Sequence, residues 1–162
     1  MSMSMMPISK TGSEKVKEKL EEKKREFETL PAIIKEAREK GDLKENAEYH
    51  AAREKQGMLQ AEIRKLSGDI SLARIIDASS LPADVVTFGK SVTVQNEEDK
   101  DQTSTFHVVG PAETSFFKDS ISVASAMGRA LLSKKKGDVV EVKSPSGSTH
   151  YRILSIDYYN FS

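Results

Sequence analysis

Apolar residues in the first half of the chain return at helical spacing. Val16, Leu20, Phe27, Leu30, Ile34 and Ala37 follow intervals of four, seven, three, four and three, with Lys23 and Lys24 filling the skipped position. Further on, Leu59, Ile63, Leu66, Ile70 and Ala73 step four, three, four and three. Both stripes are narrow, the a/d kind that suits one partner helix rather than a thick core. Between them Glu39-Lys-Gly-Asp-Leu-Lys-Glu45 reads as a short reversal, with its one glycine at Gly41. The pattern predicts an antiparallel helical hairpin whose first arm, Ser13–Lys40, would span ~42 Å at ~1.5 Å per residue. Pro31 interrupts that arm, since it lacks an N–H and crowds the Phe27 carbonyl. A kink or a restart is expected there, with Thr29 as the new N-cap.

The second half changes period. Ser91–Gln95 and Thr103–Val109 alternate (Val92, Val94; Phe106, Val108) around a polar, acidic loop, Asn96–Gln102. Ala124–Lys135 suits a short helix, and Val139–Lys143 and His150–Tyr158 a second strand pair turned at Ser144-Pro-Ser-Gly147. The fold class is therefore α+β, a helical hairpin followed by a small α+β domain. The Ser/Pro-bearing stretch Asp77–Asp84 supplies a break. The expected division is 1–7 as a disordered start, 8–78 as a helical finger, 79–84 as a linker and 85–162 as the second domain.

Composition sharpens this division. The first 78 residues hold 16 basic and 15 acidic side chains and the last 84 hold 9 and 10, while the aromatics fall two before the break and eight after it. A charge-dense, aromatic-poor half suits solvated helices. A formal charge of zero overall gives no bulk attraction to nucleic acid or anionic membrane. No apolar run reaches the length of a membrane span, and the absence of cysteine removes disulfides, thiolate metal sites and Cys nucleophiles. A cytoplasmic protein is expected.

Catalytic constellations are scarce. His50, His107 and His150 are isolated from one another, and Gly89-Lys-Ser91 lacks the upstream glycine of a phosphate loop. Lys134-Lys-Lys136 before Gly137 reads as cations in a last helical turn complementing the dipole, with an anion patch as the alternative. The reversal is richer. Asp42, Glu45 and Glu48 follow at intervals of three, on one helical face at the start of the second arm. Asp42-x-x-Glu45 has the form of a capping box. It is also a pair of hard oxygen donors suited to Mg²⁺, though too few for six-fold coordination. Such a finger would complete a metal site supplied by something else rather than hold one alone.

The stretch Glu36-Ala-Arg-Glu-Lys-Gly-Asp-Leu-Lys-Glu-Asn-Ala-Glu-Tyr-His-Ala-Ala-Arg-Glu-Lys-Gln-Gly57 closely resembles the signature of the Gre family of bacterial transcript cleavage factors. Val86–Val94, Phe106–Gly110, Ile121–Val123 and Gly128–Leu132 fall in the family's order, and the resemblance runs from about Ile8 to Tyr158. It implies a coiled-coil finger followed by an FKBP-like domain that docks at the rim of the RNA polymerase secondary channel. It further implies that the finger reaches the active site, where Asp42 and Glu45 share Mg²⁺ with the polymerase. The polymerase then cleaves the 3′ end of a backtracked transcript, so that the protein is no enzyme by itself. Arg38 and Arg53 fall where the family places basic residues facing the nascent RNA. Ile121, Ser122, Val123, Ser125 and Met127 fall on the docking side. A soluble monomer with no membrane partner is implied.

The chain departs from the family pattern at Ser125-Ala126, where many members have Ser-Pro, and at Met58, where an aromatic is common. The near-neutral finger and the Leu43, Lys44 tip favour the less basic branch of the family over its sister branch, which carries more Lys and Arg along the finger. Three rivals are a channel-blocking inhibitor, which would alter the acidic tip, an isomerase or chaperone on the FKBP-like fold, and a structural coiled-coil dimer.

Overall fold

The structure, a computed structural model, describes residues 5–41 and 46–162. It divides into two compact units, Lys15–Ser71 and Met1–Glu14 together with Leu72–Ser162.

The first unit is built from α1 (Lys10–Glu39) and α2 (Ala47–Leu72). Val16, Leu20, Leu30, Ile34 and Ala37 are all buried, as are Ala52, Leu59 and Leu66 on the other helix. Leu30, Ile34, Ala52 and Leu59 form one cluster, with Phe27 and Tyr49 half-buried against it. The arms run antiparallel, because partners climb one helix as they descend the other. Lys40 Nζ meets Glu48 at 3.5 Å, Lys55 Nζ meets Glu26 at 2.8 Å and Lys23 Nζ meets Glu62 at 3.0 Å. These pairs are solvent-screened, so register comes from the apolar seam and the charges contribute little.

Pro31 does not divide α1. The helix continues through it, and Thr29 caps nothing: its hydroxyl donates to the Glu26 carbonyl at 2.7 Å. A proline inside a helix costs about 3 kcal/mol. Here Leu30 and Ile34 lie on either side of it in the buried seam, and their burial is worth a comparable amount each, roughly 2 kcal/mol.

The second unit centres on a five-stranded sheet, in the order β5-β4-β3-β7-β6. Its strands are β3 (Lys90–Asn96), β4 (Asp99–Val109), β5 (Ser120–Ser122), β6 (Val139–Ser144) and β7 (Gly147–Tyr158). The helix α3 (Ala126–Leu131) contributes Leu131 to a core made with Val86, Val92, Val94, Val108, Val140 and Ile153. Asp99–Gln102, read as loop, is strand, and the hairpin turns at Glu97-Glu98, where the Asn96 side chain accepts from the Glu98 N–H at 2.9 Å.

Two further differences matter below. Met6 and Pro7, read as a disordered start, form β1 (Met6–Ile8), paired in parallel with β2 (Ala73–Ile75). Ile8 is only 1% exposed, and burial of that one side chain fixes the segment. Secondly, α3 ends at Leu131, so Lys134–Lys136 are not in its last turn and do not complement its dipole. Ser133, with φ of 69°, turns the chain out of the helix two residues after Leu131, the last buried leucine.

Candidate functional site

The end of the hairpin is organised by Asn46. Its Oδ1 accepts from the Tyr49 N–H at 3.1 Å and its carbonyl from the His50 N–H at 3.1 Å, the pattern of an N-cap. Its Nδ2 donates to the Ala37 carbonyl in the last turn of α1. One side chain thus satisfies an orphan donor of one helix and an acceptor of the other. The cap of α2 is therefore Asn46 and not Asp42, four residues earlier. Asp42 and Glu45 themselves, with Leu43 and Lys44, lie outside the described residues.

Asn46 was missed in the sequence because the acidic pair before it offered a more conspicuous capping pattern. Asn46→Ala is expected to lower stability by about 1–2 kcal/mol, as a cap and a cross-helix bond are both lost. Asn46→Asp, which keeps only the acceptor, should recover part of this in urea denaturation.

Arg38 and Arg53 are both exposed. The Arg38 guanidinium lies 5.8 Å from the centroid of the Tyr49 ring, and Tyr49 packs edge-on to His50 with centroids 5.4 Å apart. Arg53 Nη1 donates to Gln56 Oε1 at 3.4 Å. Lys40 is paired with Glu36 at 3.6 Å as well as with Glu48. Among the described residues no group of three or more His, Asp or Glu side chains could hold a metal ion. Asp42 and Glu45 offer oxygen donors of the right hardness for Mg²⁺ but fewer than its coordination requires.

In the sheet domain, Ile121, Ser122, Val123, Ser125 and Met127 are brought together around the start of α3. Ser125 is its N-cap, with Oγ accepting from the Gly128 N–H at 3.0 Å and donating to the Ser122 carbonyl at 2.7 Å. Ile121, Val123 and Met127 are half-buried against the core. A Cβ on Gly128 would lie 2.0 Å from the Ser122 carbonyl oxygen, so this corner needs glycine. Ala126 is the first helical residue, the position where proline's missing N–H is harmless. The Ser-Ala departure therefore leaves the helix start unchanged.

The isolated histidines have local partners. His107 Nδ1 is 2.8 Å from Ser91 Oγ, and its ring stacks on Tyr159 with centroids 4.0 Å apart. Burial pushes its pKa down, opposed by Asp119. His150 Nδ1 is 3.5 Å from Glu98. Phe117 and Tyr159 pack edge-on at 5.9 Å, and the Tyr158 hydroxyl donates to the Leu81 carbonyl at 2.6 Å.

A buried carboxylate escaped the sequence reading altogether. Glu113 is fully buried, and its oxygens accept from the Ser9 N–H at 3.1 Å, the Ser9 hydroxyl at 2.5 Å and the Gly110 N–H at 2.8 Å. Ser9 Oγ in turn accepts from the Gly12 N–H at 2.9 Å, which makes Ser9 the cap of α1. Burial raises the Glu113 pKa, with the Ser9 and Gly110 hydrogen bonds opposing. No periodic signal marks a lone acid in Gly110-Pro-Ala-Glu113.

Residues 6–75 match the family of transcription elongation factor N-terminal domains, and residues 81–158 match the C-terminal domain of GreA/GreB elongation factors. Transcription elongation factor GreA of Maridesulfovibrio salexigens is 44% identical over 154 residues, 95% of this chain and 96% of that relative. The chain belongs to the GreA/GreB family. GreA of Ruegeria pomeroyi is 48% identical over 131 residues, covering 79% of this chain and 83% of the relative. Among solved structures, GreA factor homolog 1 of Thermus thermophilus is similar at 27% identity over 94% of this chain and 98% of its own, with a TM-score of 0.44. In this GreA/GreB family member, the N-terminal match spans both helices together with β1 and β2, and the C-terminal match spans the five-stranded sheet. Asn46 and Ser125 are the caps that set the hairpin end and the α3 corner.

Proposed function

We propose that this protein stimulates the Mg²⁺-dependent cleavage of backtracked RNA by RNA polymerase and has no nuclease activity alone. One observation carries the reading: the connection between α1 and α2, closed on both sides by Asn46, is the segment that holds Asp42 and Glu45. Two carboxylates on a slender hairpin are poor metal ligands by themselves and useful ones inside another protein's site. Asp42 and Glu45 would hold Mg²⁺ jointly with polymerase groups. When bound, the metal supplies activation of a water and stabilisation of the leaving oxygen in phosphodiester hydrolysis. Arg38 and Arg53 would face the RNA 3′ end, and the Ile121–Met127 corner would dock at the secondary-channel rim. The protein would act as a cytoplasmic monomer. Among the described residues no helix is long and apolar enough to cross a membrane.

The test is a stalled, backtracked polymerase complex with Mg²⁺. Adding the protein should shorten the RNA from its 3′ end, whereas protein and RNA without polymerase should give no product. Robust cleavage without polymerase would overturn the reading.

A further inference from the structure

The turn Lys134–Lys136 is unexplained by the fold. Its backbone is held from several sides. The Ser133 N–H donates to the Val86 carbonyl at 2.9 Å, the Val86 N–H to the Lys134 carbonyl at 2.9 Å, and Val85 and Lys135 form an antiparallel bridge. The Lys135 N–H donates to Asp138 Oδ2 at 2.8 Å, and the Gly137 N–H to the Ile153 carbonyl at 2.8 Å. Left-handed residues bracket the turn, Ser133 with φ of 69° and Gly137 with φ of 91°. For Ser133 that conformation costs roughly 1–2 kcal/mol.

The side chains, by contrast, are exposed, and no ion pair to any of the three is present among the described residues. One carboxylate is close in the chain, and a second is next to the residue that bridges Lys135. Asp138 is turned onto the Lys135 N–H, and Asp84 is exposed beside Val85. Neither carboxylate forms a salt bridge to any of the three ammonium groups among the described residues. The backbone that carries the three lysines is already ordered, so binding would have to immobilise only their side chains.

We propose that this turn is an electrostatic docking contact for an acidic segment on the polymerase surface, a proposal that rests on the function proposed above. A protein fits better than nucleic acid. The last 84 residues carry 9 basic and 10 acidic side chains, so an extended polyanion would meet repulsion beyond the turn, whereas a local acidic cluster would not. Val139, 45% exposed beside the turn, adds an apolar contact of the kind protein interfaces use.

The test is a variant with Lys134, Lys135 and Lys136 all changed to Gln, which removes the charges, leaves polar side chains one atom shorter and keeps every backbone bond. Binding of labelled protein to polymerase is measured at low and high salt, alongside cleavage at saturating protein. The half-maximal concentration for binding should rise roughly tenfold at low salt, and the gap should close as salt screens the contact. Cleavage at saturation should equal that of the parent. An unchanged half-maximal concentration at low salt overturns the proposal. So does parent protein that retains a bare RNA oligomer which the variant releases, since the contact would then be with nucleic acid. If the parent itself fails to bind polymerase, the proposed function falls, and this contact falls with it.

Discussion

Asp42→Asn and Glu45→Gln should each lower stimulated RNA cleavage by roughly 10²-fold or more, the scale on which a positioned electrostatic group acts. Each change removes a negative charge that Mg²⁺ requires and keeps the side-chain shape. Because α2 is capped by Asn46, neither substitution removes that cap. Even Asp42→Ala should leave helix content and the thermal midpoint near those of the parent. The amide variants should still compete with the parent for polymerase, since docking would rest on the sheet domain. Cleavage at the parental level in both would reduce the acids to surface charges. Loss of competition would make the tip an anchor instead.

The largest loss of stability is expected at Glu113. Truncation to Ala would strand the Ser9 and Gly110 N–H groups in a buried site, at about 3 kcal/mol for the pair. Gly110→Ala should be comparably severe from the other side. Its Cβ would stand 1.9 Å from the Pro7 carbonyl oxygen, a backbone atom, and 2.8 Å from Glu113 Oε2. The pH dependence has a definite sign. Burial raises the Glu113 pKa, so the folded protein holds the proton more tightly than the unfolded chain. That contribution is complete below the ordinary carboxylate range and is lost as pH rises through the folded value. The melting temperature of the parent minus that of Glu113→Gln should therefore fall as pH rises above the ordinary carboxylate range. A difference that grows with pH would mean that the hydrogen bonds outweigh desolvation.

These two sites differ in how far the sequence revealed them. The hairpin was legible because a seam with one partner leaves a strict repeat: Val16, Leu20, Leu30, Ile34 and Ala37 are all buried, and Phe27 packs half-buried against the cluster of Leu30 and Ile34. Pro31 misled because its local penalty is fixed while the burial of Leu30 and Ile34 around it is not visible in a propensity. The tip acids are legible as a motif, yet the cap of α2 is Asn46, four residues beyond the Asp42 that the capping-box pattern suggests. In the second half, Asp99–Gln102 shows no alternation because both of its faces are exposed, which leaves nothing for a period of two to mark. Glu113 and its partner Ser9 are distant in sequence and connected only by the fold, and the nearby Gly110 carries no signal of its own. The lysine turn was absorbed into a helix because Ala130, Leu131 and Leu132 continue a helical composition up to the residue where the backbone reverses.

The parallel pairing of β1 with β2 also bears on how the chain folds. Met6 must find Ala73, and Ile8 must find Ile75, across the whole length of both arms. For a random coil, closing so long a loop is entropically unfavourable and slow. The arms remove most of that search. A helix forms within about a microsecond, and a seam of near-neighbour contacts can zip outward from the Asn46 turn without long-range encounters. Once zipped, antiparallel arms carry the two strand segments to the same end. The hairpin then acts as a splint for its own base, and slow folding should belong to the sheet, where β3 must await β7 across more than fifty intervening residues.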